Sequence, residues 1–207
     1  MAIKPVVALF DFDGTLINRD SFVEFAKFSL SPWRLGVGIM RSLPWLISWK
    51  IGKTSSHKAK ERLFRNLYRG ARGRWFETKC RLFADKLDTM VCQATMDALK
   101  QCKKNEFDIA IISASIGTWI RPWAERHGIY CVIATEAEIE NGRLTGNFAT
   151  PNCRGEEKLR RFKEFENRQR RGYDLYVWGD SDGDKPLMEY ADKSYLVNSK
   201  NNTITEL

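Results

Sequence analysis

The chain has 207 residues, of which 43% are hydrophobic, and a formal net charge of +8. This length and hydrophobic content fit one globular, water-soluble domain with an insert. The five cysteines are scattered without a CxxC pair. Their spacing argues against a disulfide framework or a zinc site and favours buried free thiols in a reducing compartment. Because the N-terminal apolar run ends in carboxylates, it does not have the design of a signal peptide, and we expect a cytoplasmic protein.

The positive charge is concentrated in one part of the chain. Between Ser31 and Arg81 there are 13 lysine or arginine residues and 2 acidic residues, so this segment carries +11 and the remainder carries −3. The sequence therefore predicts a mildly acidic body with a strongly basic insert.

The first predicted element is a buried strand at Pro5–Phe10, and a long helical, basic segment follows it. Within that segment Trp33–Gly52 has roughly the length of a membrane span. Arg41 and Pro44 lie in its middle, and an arginine at the centre of a bilayer costs about 2.5–3.5 kcal/mol. We therefore predict two helices broken at Pro44. They either pack as a cap, with the tryptophans in its core, or lie in a membrane interface.

The rest of the chain alternates between helices and strands. In chain order the predictions are a helix at Ala94–Lys104, a strand at Phe107–Ile112, a helix at Gly117–His127, a strand at Ile129–Ala134, a β-hairpin at Glu138–Phe148, a helix at Glu156–Arg170 and a strand at Tyr173–Trp178. The hairpin prediction depends on Asn141-Gly142, the strongest signal for a type I′ turn.

This alternation predicts an α/β fold with a doubly wound, mostly parallel, Rossmann-like sheet. We assign residues 1–20 and 92–207 to this core, residues 21–91 to a small helical cap inserted after the first strand, and the hairpin to a flap.

Polar residues follow the predicted strands at the edge where such sheets bind ligands. They are Asp11 and Asp13 after the first strand, Ser113-Ala114-Ser115 after the second, Asp180, Asp182 and Asp184 after the fourth, and Lys158 at the start of the helix after the hairpin. Carboxylates suit Mg²⁺, a hard cation that prefers oxygen ligands. Neither His57 nor His127 lies near these motifs, so the sequence gives zinc little support.

These residues resemble a known family. "DFDGT", "ISAS", the lysine of "CRGEEK" and "GDSDGD" are similar to the four ordered motifs of the haloacid dehalogenase superfamily of phosphohydrolases. With "NGRLTG" and the helical insert, the chain most resembles the phosphoserine-phosphatase-like branch. The basic, tryptophan-rich insert also bears a weaker, compositional resemblance to phosphatidylglycerophosphatase-type members.

The resemblance implies a mechanism for the paired aspartates. Asp11 would be the nucleophile that forms an aspartyl-phosphate, and Asp13 the general acid and base. Asp11, the backbone carbonyl of Asp13, and Asp180 would hold Mg²⁺, and Asp184 would brace the metal's water shell or ligate it directly.

The resemblance also implies a phosphate pocket and a substrate contact. Ser113, the backbone N–H groups of Ala114 and Ser115, and Lys158 would hold the phosphoryl oxygens. Arg154 stands where the family's lysine is usual, so it is the alternative to Lys158. Gly14 would allow close backbone approach and Thr15 would support the loop. Asp20 would contact a substrate amino group, as in phosphoserine.

Two interpretations of the function follow. The first is a Mg²⁺-dependent phosphomonoesterase acting on a small phosphorylated metabolite or on a phospholipid headgroup, with contact at the inner face of an anionic membrane. The second is a basic nucleic-acid-binding module with a vestigial phosphatase site, because cations interleaved with aromatic residues can bind phosphates and stack bases. All the catalytic residue types are present, which favours the first interpretation, so no nucleic-acid partner is expected.

Overall fold

A computed structural model describes residues 4–166 and 172–207. In these residues the strands, in chain order, are β1 (Val6–Phe10), β2 (Asp108–Ile116), β3 (Cys131–Thr135), β4 (Ala137–Glu140), β5 (Arg143–Phe148), β6 (Asp174–Gly179), β7 (Lys193–Asn198) and β8 (Thr203–Glu206). Six of them form one sheet in the order β3-β2-β1-β6-β7-β8. Pairing is parallel from β3 to β7, and β8 is antiparallel at the edge. The predicted α/β fold is confirmed, with β7 and β8 added to the four strands expected.

The helices of the described chain are α1 (Ser21–Ser29), α2 (Pro32–Lys50), α3 (Ser56–Tyr68), α4 (Gly73–Leu87), α5 (Gln93–Lys104), α6 (Gly117–Arg126), α7 (Glu156–Glu166) and α8 (Lys185–Tyr190), with a 3₁₀ turn at Asp88–Met90. The helix predicted at Glu156–Arg170 is observed as far as Glu166, and the rest of that prediction lies outside the described residues. Helices therefore precede and follow the strands as expected for a doubly wound sheet.

The insert shares its hydrophobic core with the sheet domain. Phe25 of α1 stacks on Trp119 of α6 with ring centroids 4.7 Å apart. Phe76 and Phe83 of α4 lie edge-on against Phe25, and all of these side chains are buried. The division into a core and a cap (residues 21–91) stays a prediction, but α1 and α4 pack directly onto α6.

One helix prediction is wrong. Trp33–Gly52 was expected to hold two helices broken at Pro44, whereas α2 is a single helix with Pro44 inside it. Proline removes the hydrogen bond to the carbonyl of Met40. Both residues are exposed, so water can satisfy that carbonyl and the helix continues. Among the described helices, none is both long and apolar enough to cross a bilayer.

The hairpin prediction is confirmed. β4 and β5 pair antiparallel, and Asn141 and Gly142 at their turn both have positive φ, as a type I′ turn requires. The hairpin is fastened to the cap, because the backbone N–H of Phe148 donates to Glu61 Oε1 at 3.0 Å. Gly146 lets the hairpin lie this close to α3, since a Cβ at position 146 would lie 2.8 Å from Arg65 Cα.

Candidate active site

The carboxyl ends of β1 and β6 bring three acidic side chains together. Asp11 directly follows β1, and its N–H donates to the carbonyl of Trp178 on β6 at 2.9 Å. Asp180 and Asp184 follow β6. One carboxylate oxygen from each of the three lies within 4.8 Å of the others. The predicted acidic cluster is therefore formed by neighbouring strand ends.

The turn after β1 depends on Gly14. Its φ is +78°, and a Cβ at this position would lie 2.2 Å from Asp180 Oδ2. Only glycine combines a positive φ with the absence of a side chain. Gly14 therefore lets the β1 loop pass directly beside the Asp180 carboxylate.

The cluster carries strong electrostatic repulsion. Burial, and next the charge of Asp184, raise the pKa of Asp11 to about 8. Burial and Asp184 also raise the pKa of Asp180 to about 6. Crowded carboxylates disfavour their own ionised forms, and a nearby cation reverses this effect. An all-oxygen, negatively charged donor set of this kind fits a hard divalent cation.

Lys158 supplies one positive charge to this cluster. Its ammonium, on the first turn of α7, lies 2.8 Å from Asp11 Oδ1 and also donates to Asp184. Burial by itself lowers the pKa of Lys158, but the charges of Asp11 and Asp184 outweigh it and raise the pKa overall. Asp184 is held further by the N–H groups of Asp180 and Ser181, each at 3.2 Å. Lys158 is therefore a fixed, charged group beside Asp11.

Asp13 occupies a separate hydrogen-bonded environment. Its Oδ1 accepts from the N–H of Ser21 at 3.0 Å, and its Oδ2 accepts from the hydroxyl of Ser115. The Ser115 hydroxyl in turn accepts from Ser21 Oγ, which accepts from Trp119 Nε1, each at 3.0 Å. Burial and then the charge of Asp20 raise the pKa of Asp13. The chain orients Asp13, and its donors by themselves favour the ionised carboxylate, but burial and the charge of Asp20 outweigh them and favour the protonated form.

The Ser113-Ala114-Ser115 motif lies in a bulge within β2 and not after the end of that strand. β2 was expected to end at Ile112 but continues to Ile116, with a register shift against β3 between Ser113 and Ile116. A bulge of this kind re-aims backbone groups next to a site. Ser113 and Ala114 line the cavity, and the Ser113 hydroxyl accepts from the N–H of Ser115 at 3.1 Å.

Two predicted residues lie behind the cavity wall. Ser115 is fully buried and directs its hydroxyl at Asp13. Thr15 is also fully buried, and within the described residues its hydroxyl has no hydrogen-bond partner. Neither side chain lines the cavity. Their contribution is to the shape of the two loops, and the phosphate-binding role given to them remains a prediction.

The site also includes Lys60, which the sequence motifs did not identify. Lys60 projects from α3 of the cap and donates to the carbonyl of Ala114 at 2.9 Å. Burial lowers the pKa of Lys60, against the opposing charges of Asp13 and Asp20. In the sequence it is one of 13 cations in a basic segment, with no motif to distinguish it. Asp20 lies in the lining of the same cavity. Its side chain also caps α1, because Asp20 Oδ1 accepts from the N–H of Val23 at 3.0 Å.

These groups surround a cavity of about 390 Å³. Its charged lining consists of Asp11, Asp13, Asp20, Asp180 and Asp184 with Arg19, Lys60, Arg154, Lys158 and Lys200. Both predicted alternatives for the phosphate cation, Arg154 and Lys158, therefore face it, but the contact with Asp11 belongs to Lys158. A cavity that combines a carboxylate cluster with several cations suits a divalent metal together with an anionic phosphate.

Comparisons with known proteins give the family and the fold of this chain. Residues 8–189 match the family of haloacid dehalogenase-like hydrolases. Protein CicA of Caulobacter vibrioides is 30% identical over 200 residues, covering 95% of this chain and 88% of CicA. A probable phosphatase of Mycobacterium tuberculosis is 25% identical over 199 residues, covering 92% and 68%. A phosphoserine phosphatase solved as a phospho-aspartyl intermediate analogue has a TM-score of 0.65 at 17% identity, covering 97% and 92%.

Proposed function

This chain belongs to the haloacid dehalogenase-like hydrolases and is a phosphatase, and we propose that it hydrolyses phosphomonoesters through an aspartyl-phosphate with Mg²⁺ as cofactor. Its fold is shared with the phosphoserine-phosphatase-like branch. The observation that carries the proposal is the contact of Lys158 with Asp11 at 2.8 Å, inside the cluster that Asp11 forms with Asp180 and Asp184.

The proposed metal ligands are Asp11, Asp180 and the backbone carbonyl of Asp13, with Asp184 beside them. The donor set supports this choice, because all three clustered side chains offer carboxylate oxygens and the pKa values of Asp11 and Asp180 are raised. A bound Mg²⁺ supplies positive charge that offsets the repulsion between the Asp11 carboxylate and a phosphate. Lys158 adds to that charge from the protein side.

In the first step Asp11 attacks phosphorus. An oxygen–phosphorus bond forms from the Asp11 carboxylate, and the bond from phosphorus to the alkoxide leaving group breaks. Asp13 donates its proton to that alkoxide. The raised pKa of Asp13 supports this role, because a general acid must hold a proton before the step.

In the second step water releases the phosphate. Asp13, now ionised, takes a proton from a water molecule whose oxygen attacks phosphorus, and the bond to Asp11 breaks. Inorganic phosphate leaves and both aspartates return to their starting states. Lys158, Ser113 and the N–H groups near Ala114 would stabilise the phosphoryl oxygens in both steps.

We propose two substrate classes. The first is a small phosphorylated metabolite resembling phosphoserine, supported by Asp20 in the cavity lining, where it can meet an amino group. The second is a phospholipid headgroup phosphate, supported by the +11 charge between Ser31 and Arg81. The nucleic-acid-binding alternative is not favoured, because the acidic and basic catalytic groups converge on one cavity instead of remaining scattered.

A substrate panel tests these proposals. Phosphoserine, a short-chain phosphatidylglycerophosphate and sugar phosphates are compared at equal Mg²⁺ by phosphate release. We expect one class to exceed the others in kcat/KM by at least tenfold. A parallel acid quench during turnover, followed by mass analysis of the peptide containing Asp11, detects the acyl-phosphate. Turnover that never labels this peptide would contradict the covalent mechanism.

A further inference from the structure

Helix α2 presents its large apolar side chains to solvent. The buried residues of this helix are Gly38 and Ser42. In contrast, Trp33 is 80%, Met40 67% and Ile47 57% exposed. A helix on the surface of a globular protein normally has the opposite arrangement, with its large apolar residues facing the core. The distribution on α2 therefore needs a physical reason other than folding of the cap.

The side of α2 that faces α3 carries the small residues Gly38 and Ser42, which leave room for α3 to lie close. A Cβ added at Gly38 would lie 2.4 Å from Leu67 Cδ2. The hydroxyl of Ser42 donates to the carbonyl of Gly38 at 2.7 Å and accepts from Asn66 Nδ2 at 3.0 Å. This interface positions α2 against α3. It does not use Trp33, Met40 or Ile47, which are exposed.

Several of the exposed apolar side chains lie on one side of the helix. We define the outer face of α2 as Trp33, Met40, Leu43 and Ile47 together with Ile51, which directly follows the helix; all of them are exposed. Their spacings of seven, three, four and four residues place them on one side of a helix, opposite Gly38 and Ser42. At 1.5 Å per residue the stripe is about 27 Å long.

Two tryptophans of α2 lie outside this stripe. The ring of Trp45 lies beneath the guanidinium of Arg62, 4.6 Å from its centroid. Helical geometry also puts Trp49 on the flank that faces α3. These two residues, which the sequence suggested for a membrane interface, are therefore poor probes of the outer face.

The charged residues of α2 and of the segment that follows it have a single sign. From Ser31 to Lys60 the sequence contains no acidic residue. Arg41 lies towards one border of the outer face and Lys50 along the other, and both are exposed. An apolar stripe bordered by cations is complementary to an anionic lipid surface, where each cation strengthens binding about fivefold. It is not complementary to a second copy of itself, because pairing two such faces would bring like charges together.

We propose that the outer face of α2 docks on anionic membranes, with the helix lying in the plane of the interface and its apolar stripe inserted to the depth of the headgroups. The cap would thereby hold the enzyme at the lipid surface. This inference depends on the geometry and charge of α2 and is independent of the reaction proposed above.

Vesicle binding tests the proposal directly. Full-length protein is sedimented with vesicles of phosphatidylglycerol and phosphatidylcholine, and with phosphatidylcholine alone. We expect binding to the anionic vesicles in low salt, weaker binding as ionic strength rises, and little binding to the zwitterionic ones. The variant M40Q/I47Q should weaken binding about a hundredfold, or about tenfold for each apolar side chain removed from the interface.

A matched control separates the outer face from general hydrophobicity. Leu82, on α4 and 52% exposed, is changed to Gln and should leave vesicle binding unchanged. Hydrolysis of p-nitrophenyl phosphate by M40Q/I47Q should also be unchanged, which shows that the cap remains folded. Absence of wild-type binding in low salt, or equal binding by wild type and M40Q/I47Q, overturns the proposal. Dimerisation abolished by M40Q/I47Q, without lipid binding, overturns it in favour of self-association.

Discussion

The backbone of Gly14 lies against the carboxylate of Asp180, so that a Cβ at position 14 would lie 2.2 Å from Oδ2. The turn after β1 and the loop after β6 are thus fitted to each other with no room for a methyl group. We expect Gly14→Ala to displace Asp180 and to lower kcat/KM by at least about a hundredfold, because a misplacement of about 1 Å can have that effect.

Gly70 provides the control for backbone strain. It also has a positive φ, +80°, but nothing lies within 4 Å of its Cβ position. Gly70→Ala should therefore lower the free energy of unfolding by about 1–2 kcal/mol while leaving activity near the wild-type level. Equal loss of activity in the two variants would mean that strain, and not the contact with Asp180, is responsible.

Substitutions of Asp11 and Asp13 should affect activity in different ways. Asp11→Asn removes the nucleophile, so we expect no measurable turnover of p-nitrophenyl phosphate. Asp13→Asn removes proton transfer and should lower kcat by about 10²–10⁴-fold. Calorimetric titration should show that Asp13→Asn still binds Mg²⁺. Near-normal activity of Asp11→Asn is incompatible with an aspartyl-phosphate.

The acidic loop after β6 offers a test of the metal site. EDTA should remove activity and Mg²⁺ should restore it, since the donors are all oxygens. Asp180→Ala should raise the Mg²⁺ concentration needed for half-maximal rate by at least about tenfold, since it removes one proposed carboxylate ligand. Asp182 is exposed and outside the Asp11 cluster, so Asp182→Ala is the control and should change this requirement little. Full activity in chelator would refute the role of the metal.

The raised pKa of Asp11 predicts how stability depends on pH. The folded protein holds a proton on Asp11 up to a pKa of about 8, against 3.8 as the ordinary value. Between these values the native state binds more protons than the unfolded state, so the free energy of unfolding falls as pH rises. In EDTA we expect the Tm of the wild type to fall from pH 5 to pH 8 relative to that of Asp11→Asn.

Mg²⁺ should reverse that trend, because it binds the ionised carboxylates and its stabilisation grows as protons leave. Thermal melts with and without Mg²⁺ at the two pH values measure both effects. A Tm difference between wild type and Asp11→Asn that is the same at pH 5 and pH 8 in EDTA would contradict the buried-carboxylate account.

The sequence by itself determined the elements whose signals are local. Apolar runs marked β1 and β6, Asn141-Gly142 marked the hairpin turn, and the acidic motifs followed the strands that carry them. The order of these motifs was sufficient to place their residues at one edge of a parallel sheet, because the carboxyl ends of such strands meet there. β7 was missed because the apolar run within Lys193–Asn198 is short, covering only residues 195–197 between polar ones.

Only the tertiary structure decided the features that depend on distant neighbours. Lys60 reaches Ala114 across 54 residues, and the hydroxyl of Ser115 turns to Asp13 instead of the cavity. Pro44 is accommodated inside α2 because its part of the helix is exposed. The outward direction of the apolar stripe on α2 likewise follows from the contact of Gly38 with Leu67. Sequence periodicity defines the two sides of a helix, but packing determines which side is left facing solvent.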